Sequence, residues 1–108
     1  MTPLALILTL IGAIATDGDT LRKGDARYRI WGIDAAEMDA GGGPAKRAMA
    51  GLIKGQTLTC DVLDVDRYHR QVVRCDLPDG RDLACVMVGA GMALDWPKYS
   101  RGYYRGCR

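Results

Sequence analysis

Only one long stretch of this chain repeats its apolar residues at helical spacing. Counting from Ala45, the residues Ala45, Ala48, Met49, Leu52 and Ile53 fall at i, i+3, i+4, i+7 and i+8. They form one apolar stripe, with Lys46, Arg47 and Lys54 off it. Pro44 suits the first turn of this helix and Gly55 its end. On both sides of it, short apolar runs are cut by turn-forming residues. A chain so patterned must pack a central helix against strands rather than build a bundle or a parallel α/β sheet.

Leu10 to Ala15 reads as a first strand, and Asp17-Gly18-Asp19-Thr20 as the turn that closes it. Leu21 starts a second strand, and Lys23-Gly24-Asp25 is the next turn. Arg27 to Ile33 alternates and gives a third strand ending at Gly32-Ile33-Asp34. Ala35 to Gly43 is a loop. After the helix come a strand over Thr57 to Val62, a charged loop over Asp64 to Arg70 and a strand over Gln71 to Cys75. Pro78-Asp79-Gly80 turns the chain into a short helix, Leu83 to Val88, capped by Asp82 and stopped by Gly89 and Gly91. Met92 to Leu94 returns to strand. The order β-β-β-α-β-β-α predicts an α+β, mainly β domain with a small closed sheet. The 108 residues make one domain over 1–108. With no Phe, the core falls to aliphatic side chains and Met, including Met49 and Met87.

The segment over about 1–7 reads as flexible or signal-like. The apolar run Leu4 to Ala15 is shorter than a spanning helix needs, which predicts no stable membrane insertion. Ala13-Ile14-Ala15 resembles a cleavage site, but no Lys or Arg precedes the run, and the first-strand reading competes. Cys60, Cys75, Cys85 and Cys107 contain no C-x-x-C pair, which excludes a zinc ribbon; two disulfides in any of three connectivities, or free thiols, remain open. A hairpin folded about the Asp64 to Arg70 loop sets Cys60 roughly opposite Cys75, predicting a bridge in an oxidising compartment. Cys85 and Cys107 are the candidates for a second bridge. Secretion or a periplasmic location follows from bridged cysteines, the cytoplasm from free ones.

The formal net charge of +2 does not by itself identify a nucleic-acid partner. Three short segments concentrate charge: Asp17-Gly18-Asp19-Thr20, Arg29 to Glu37, and Asp66-Arg67-Tyr68-His69-Arg70. Their side chains suit a phosphodiester. Carboxylate and backbone oxygens suit a hard divalent cation. A further carboxylate orients or deprotonates water. Two arginines give bidentate bonds to phosphate oxygens as charge builds. Taken singly, each segment is an ordinary turn, strand end or polar loop. The late Lys98, Arg101, Arg105 and Arg108, beside Tyr99, Tyr103 and Tyr104, read either as phosphate and base contacts or as a solvated end.

Taken in order, D-G-D-T, R-I-W-G-I-D-A-A-E and D-R-Y-H-R resemble the staphylococcal nuclease (thermonuclease) family, whose pattern runs D-G-D-T, R-x-x-x-x-D-x-P-E, a helix, D-x-Y-G-R and a late G-x-A followed by aromatics. Gly91-Met92-Ala93-Leu94-Asp95-Trp96-Pro97-Lys98-Tyr99 matches the last part, and the likeness covers about Leu8 to Tyr104. The resemblance implies a five-stranded OB-type β-barrel with two or three short helices and a truncated terminal helix. It implies a Ca²⁺-dependent endonuclease acting on DNA and RNA, single-stranded, as a monomer. Asp19, Asp34 and the carbonyl of Ala35 would be metal ligands, with no demand on the Ala35 side chain. Glu37 would act on the attacking water, and Arg29 and Arg70 would bind the scissile phosphate. Arg67, Tyr68 and Tyr99 would contact the nucleotide. A non-catalytic nucleic-acid-binding module is the alternative; retention of Arg29, Glu37 and Arg70 favours the enzyme.

This chain departs from the family pattern at Ala36, where the pattern has Pro, at His69, where it has Gly, and at Pro97, where a Tyr is expected. His69 reads as a turn residue rather than a base, and Trp31 as sheet packing. Strict alternation puts Arg29 and Asp34 on opposite faces of a strand, so both serve one site only if the chain bends, and Gly32 is the place for it.

Overall fold

The computed structural model describes residues 6–36 and 43–107. Glu37 lies outside the described residues, as does most of the expected N-terminal segment. The elements run β1 (Leu6–Ile11), β2 (Ile14–Asp17), β3 (Thr20–Lys23), β4 (Ala26–Ile30), β5 (Ile33–Asp34), α1 (Pro44–Ile53), β6 (Thr57–Val65), β7 (Gln71–Asp76), α2 (Leu83–Gly89), β8 (Leu94–Asp95) and α3 (Pro97–Ser100), with a final 3₁₀ turn over Arg105–Cys107.

Six strands pair in the order β1-β6-β7-β4-β3-β2, and β5 pairs with β8 in a separate ribbon. All ladders are antiparallel except β4 with β7. The two outer strands, β1 and β2, are consecutive pieces of chain joined only by Gly12 and Ala13. Gly12 takes a left-handed φ of 73°, which turns the chain from one edge of the sheet to the other. The sheet therefore curls into a half-barrel, and the architecture is a mainly β, α+β fold of OB-like form with three short helices. The single first strand expected over Leu10 to Ala15 is two strands, because Gly12 breaks it. Bulges interrupt the ladders between Ala15 and Asp17 and between Val62 and Asp64, adding the local twist that curling requires.

The concave side is filled by Leu10, Leu21, Ile30, Leu58 and Val73 from the sheet, covered by Met49 and Ile53 of α1 and Leu83, Met87 and Val88 of α2. The stripe read from the sequence is the buried face of α1, with Ala45, Met49 and Ile53 buried and Ala48 and Leu52 partly so. Asp82 caps α2 by accepting from the backbone N–H groups of Ala84 and Cys85. No helix among the described residues is long and apolar enough to cross a membrane.

Two disulfides tie the layers. Cys60 and Cys75 face each other in the β6–β7 register with Cα atoms 4.0 Å apart. Cys85 of α2 joins Cys107 of the final turn. That second bridge holds down the tail, where Tyr104 is buried and donates to Asp82 Oδ2 at 2.9 Å. Tyr104 therefore belongs to the core and not to a base-stacking surface. Trp31 sits edge-on to Tyr103 and Tyr104, packing the tail against the β4–β5 bend.

Candidate functional site

The D-G-D-T turn owes its glycine to close packing. A Cβ on Gly18 would lie 2.6 Å from the Ala45 Cβ and 2.8 Å from the Ala35 Cβ. With Gly18 in place, the first turn of α1, the β2–β3 turn and the segment after β5 can meet. Ala35 is fully buried there, so its side chain, of which the sequence reading asks nothing, has to be small.

This contact brings Asp19 beside Ala35. Asp19 Oδ2 accepts from the Ala35 N–H at 2.9 Å, and Asp19 Oδ1 accepts from the Thr20 hydroxyl at 3.2 Å. Asp34 accepts from the Ala36 N–H at 2.9 Å. The two carboxylates thus flank Ala35, each oriented by a backbone amide. Their hard oxygens are the donor type that Ca²⁺ or Mg²⁺ takes, and the Ala35 carbonyl lies between them in sequence. Among the described residues no group of three His, Cys, Asp or Glu side chains is placed to hold a metal ion.

Arg29 reaches the same place because the chain bends as the alternation problem demands. β4 stops at Ile30, Trp31 and Gly32 turn with Gly32 at φ 80°, and β5 restarts at Ile33. The Arg29 guanidinium donates to the carbonyls of Ile30 and Ile33 at 2.7 and 2.8 Å and lies 3.5 Å from Asp19 Oδ2. The Trp96 ring, 5.5 Å away, forms another wall. Burial lowers the Arg29 pKa from its ordinary value; Asp19 opposes that shift, and Arg70 adds to it by repulsion.

Arg70 is presented by the β6–β7 loop. Asp66 organises this loop by accepting from the backbone N–H groups of Tyr68 and Arg70 and from Arg70 Nε, all at 2.7–2.9 Å. Partial burial pushes the Asp66 carboxyl up, but the hydrogen bonds from Arg70 and Tyr68 outweigh it and hold the pKa below the usual range. Among the described residues the terminal nitrogens of Arg70 make no hydrogen bond. His69 sits at φ 62°, the left-handed backbone that a Gly at this position would take at no steric cost.

Arg67 and Arg70 lie over the exposed Tyr68 ring at 5.0 and 5.3 Å. Arg27, Arg67, Tyr68, His69 and Arg70 line an open groove of about 510 Å³. Tyr99 is exposed and packs edge-on to Trp96 at 4.6 Å, which places it beyond the wall over Arg29. The sequence reading places Asp66 and Trp96 within motifs but gives neither a role. Asp66 carried a signal, a carboxylate four residues before Arg70 in a charged loop. Trp96 carried one too, as an aromatic following Gly91-Met92-Ala93.

No family model matches the chain. It is similar to two Escherichia coli proteins, one from O157:H7, each named an uncharacterized endonuclease. Identity is 34% over 89 residues, covering 78% of this chain. The chain spans 58% of the length of these curated relatives.

Proposed function

We propose that the chain is a nuclease domain that hydrolyses phosphodiester bonds of DNA and RNA, single-stranded, with Ca²⁺. The similarity to the two named endonucleases supports a nuclease-like family. The single observation that supports the reading further is Asp19, which accepts from the Ala35 N–H next to Asp34 and lies 3.5 Å from the Arg29 guanidinium.

In this reading Asp19, Asp34 and the Ala35 carbonyl would hold the cation, which would supply charge neutralisation to the phosphate. Arg29 and Arg70 donate to the phosphate oxygens, and their bonds strengthen as negative charge builds on phosphorus. The fork of Arg29 is fixed in advance by the carbonyls of Ile30 and Ile33, so little order is lost when phosphate arrives. Glu37 follows Asp34 and Ala35 closely in sequence and takes the proton of the attacking water. Water oxygen bonds to phosphorus, the bond to the 5′ oxygen breaks, and that oxygen leaves with the electron pair.

The test is incubation of the purified chain with denatured plasmid DNA in Ca²⁺ or EDTA. Cleavage in Ca²⁺ alone supports the reading. Intact DNA in Ca²⁺, from protein shown to be folded, refutes it, and DNA bound without cleavage makes the chain a non-catalytic binding module.

A further inference from the structure

The outer face of the β3–β4 hairpin carries a charge arrangement that folding does not ask for. Arg22 of β3 stands directly opposite Arg27 of β4 in the antiparallel register. Both side chains are exposed, and like charges directly opposite each other destabilise a ladder. Several other strand and loop arginines are paired: Arg29 meets Asp19, Arg70 meets Asp66, and Arg74 meets Asp61, Asp76 and Asp82. Among the described residues Arg22 and Arg27 are in no ion pair, and Asp25, in the turn between them, bridges to neither.

Their position is also specific. Arg27 shares a face of β4 with Arg29, two residues or about 6.8 Å along the strand. Its guanidinium donates to the Tyr68 carbonyl, which fixes it against the loop that presents Arg70. Arg27 thus joins Arg22, its cross-strand partner, to the groove that holds Arg67 and Arg70, and no carboxylate lines that groove.

We propose that Arg22 and Arg27 form a phosphate track that holds a single strand of nucleic acid as it leaves the reaction centre. This rests on the proposed function and adds that the domain grips oligonucleotides several residues long better than dinucleotides. Repulsion within the hairpin is relieved when two successive phosphates of the strand pair with the two guanidinium groups.

The experiment measures binding by fluorescence anisotropy, in EDTA so that nothing is cut, for labelled dithymidylate and a twelve-nucleotide oligothymidylate across a KCl series. The proteins are the full chain and Arg22→Gln/Arg27→Gln. Each phosphate contact on a single strand contributes about 0.7 to the slope of log affinity against log salt. The double variant should therefore lose about 1.4 of slope on the long ligand. It should also lose at least tenfold in affinity for that ligand at low salt, and with it most of the gain from ligand length. Its melting temperature at low salt should not fall, since repulsion has been removed. A double variant that keeps the wild-type slope and affinity overturns the track and leaves the nuclease reading standing. A wild-type chain that binds neither ligand overturns the track, and cleavage of denatured DNA in Ca²⁺ by that same chain keeps the nuclease reading.

Discussion

Replacing Gly32 by Ala tests the bend on which the candidate site depends. Two costs add at this position. The left-handed φ of 80° costs an L-residue about 1–2 kcal/mol. A new Cβ would also lie 2.9 Å from Tyr104 Cε2 and 3.2 Å from Ser100 Cβ. Neither neighbour can yield freely. Tyr104 is buried, donates to Asp82 and packs on Trp31, and Ser100 is buried with its hydroxyl bonded to Asp95. Overpacking of this kind costs about 1–3 kcal/mol, while lost backbone freedom in the unfolded chain returns about 0.4–1 kcal/mol. The net destabilisation is about 2–4 kcal/mol, which lowers the melting temperature by roughly 10–30 °C in a domain of this size.

Gly24→Ala is the internal control. Gly24 has φ 59° and nothing within 4 Å of its notional Cβ, so it isolates the backbone cost, about 1 kcal/mol net. Thermal and urea denaturation of the two variants separate packing from conformation. Tyr104→Leu in the Gly32→Ala background should recover about 1–2 kcal/mol relative to additivity. A Gly32→Ala chain no less stable than Gly24→Ala would refute the close packing of the bend against the tail. Under the proposed function, turnover should fall beyond the loss of folded protein, because a displacement near 1 Å between Arg29 and Asp34 costs about a hundredfold.

Under the proposed function, Arg29→Ala, Arg70→Ala and Glu37→Gln should each lower turnover by several orders of magnitude, whereas Asp19→Ala and Asp34→Ala should raise the Ca²⁺ concentration required; steady-state kinetics across a Ca²⁺ series tells these apart. His69→Gly should stay within about tenfold of wild-type turnover and relieve a strained backbone, changing stability by no more than about 1 kcal/mol in a melt. Cys60→Ala/Cys75→Ala opens a loop of sequence separation 15 and should cost about 3 kcal/mol by chain entropy, and peptide mapping without reductant should recover the linked pair. The Asp66 carboxyl, held below its unfolded value, contributes stability that is present above about pH 4 and lost as pH falls through its folded pKa. Acid should therefore loosen the Arg70 loop, seen as Asp66 and Arg70 chemical-shift changes that Asp66→Asn abolishes.

Elements whose burial is set by local spacing were legible in the sequence. The α1 stripe, the Asp82 cap and the β6–β7 hairpin each follow from residues within about twenty positions of one another. The first strand was not, because its apolar residues continue unbroken past Gly12 while its pairing partners change. Whether one strand or two pass through Gly12 depends on β6 and β3 lying at opposite ends of the sheet, and neither distance is written near residue 12.

The site divides in the same way. Alternation along β4 and β5 shows that Arg29 and Asp34 need a bend, and Gly32 is the residue that permits it. Alternation cannot show what keeps the bend in place, which is Tyr104 packed against Gly32 from more than seventy positions away. Gly18 carries a similar lesson. Read locally it is a turn glycine, yet its described φ is not among the left-handed ones. It is required instead because Ala35 and Ala45 close on it from two other elements. The conformational reason for a glycine lies in its own neighbours, whereas the packing reason lies in chain that arrives later. At Gly18 the packing reason positions Asp19 against Ala35, so substitution there should disturb the carboxylates even where the turn itself survives.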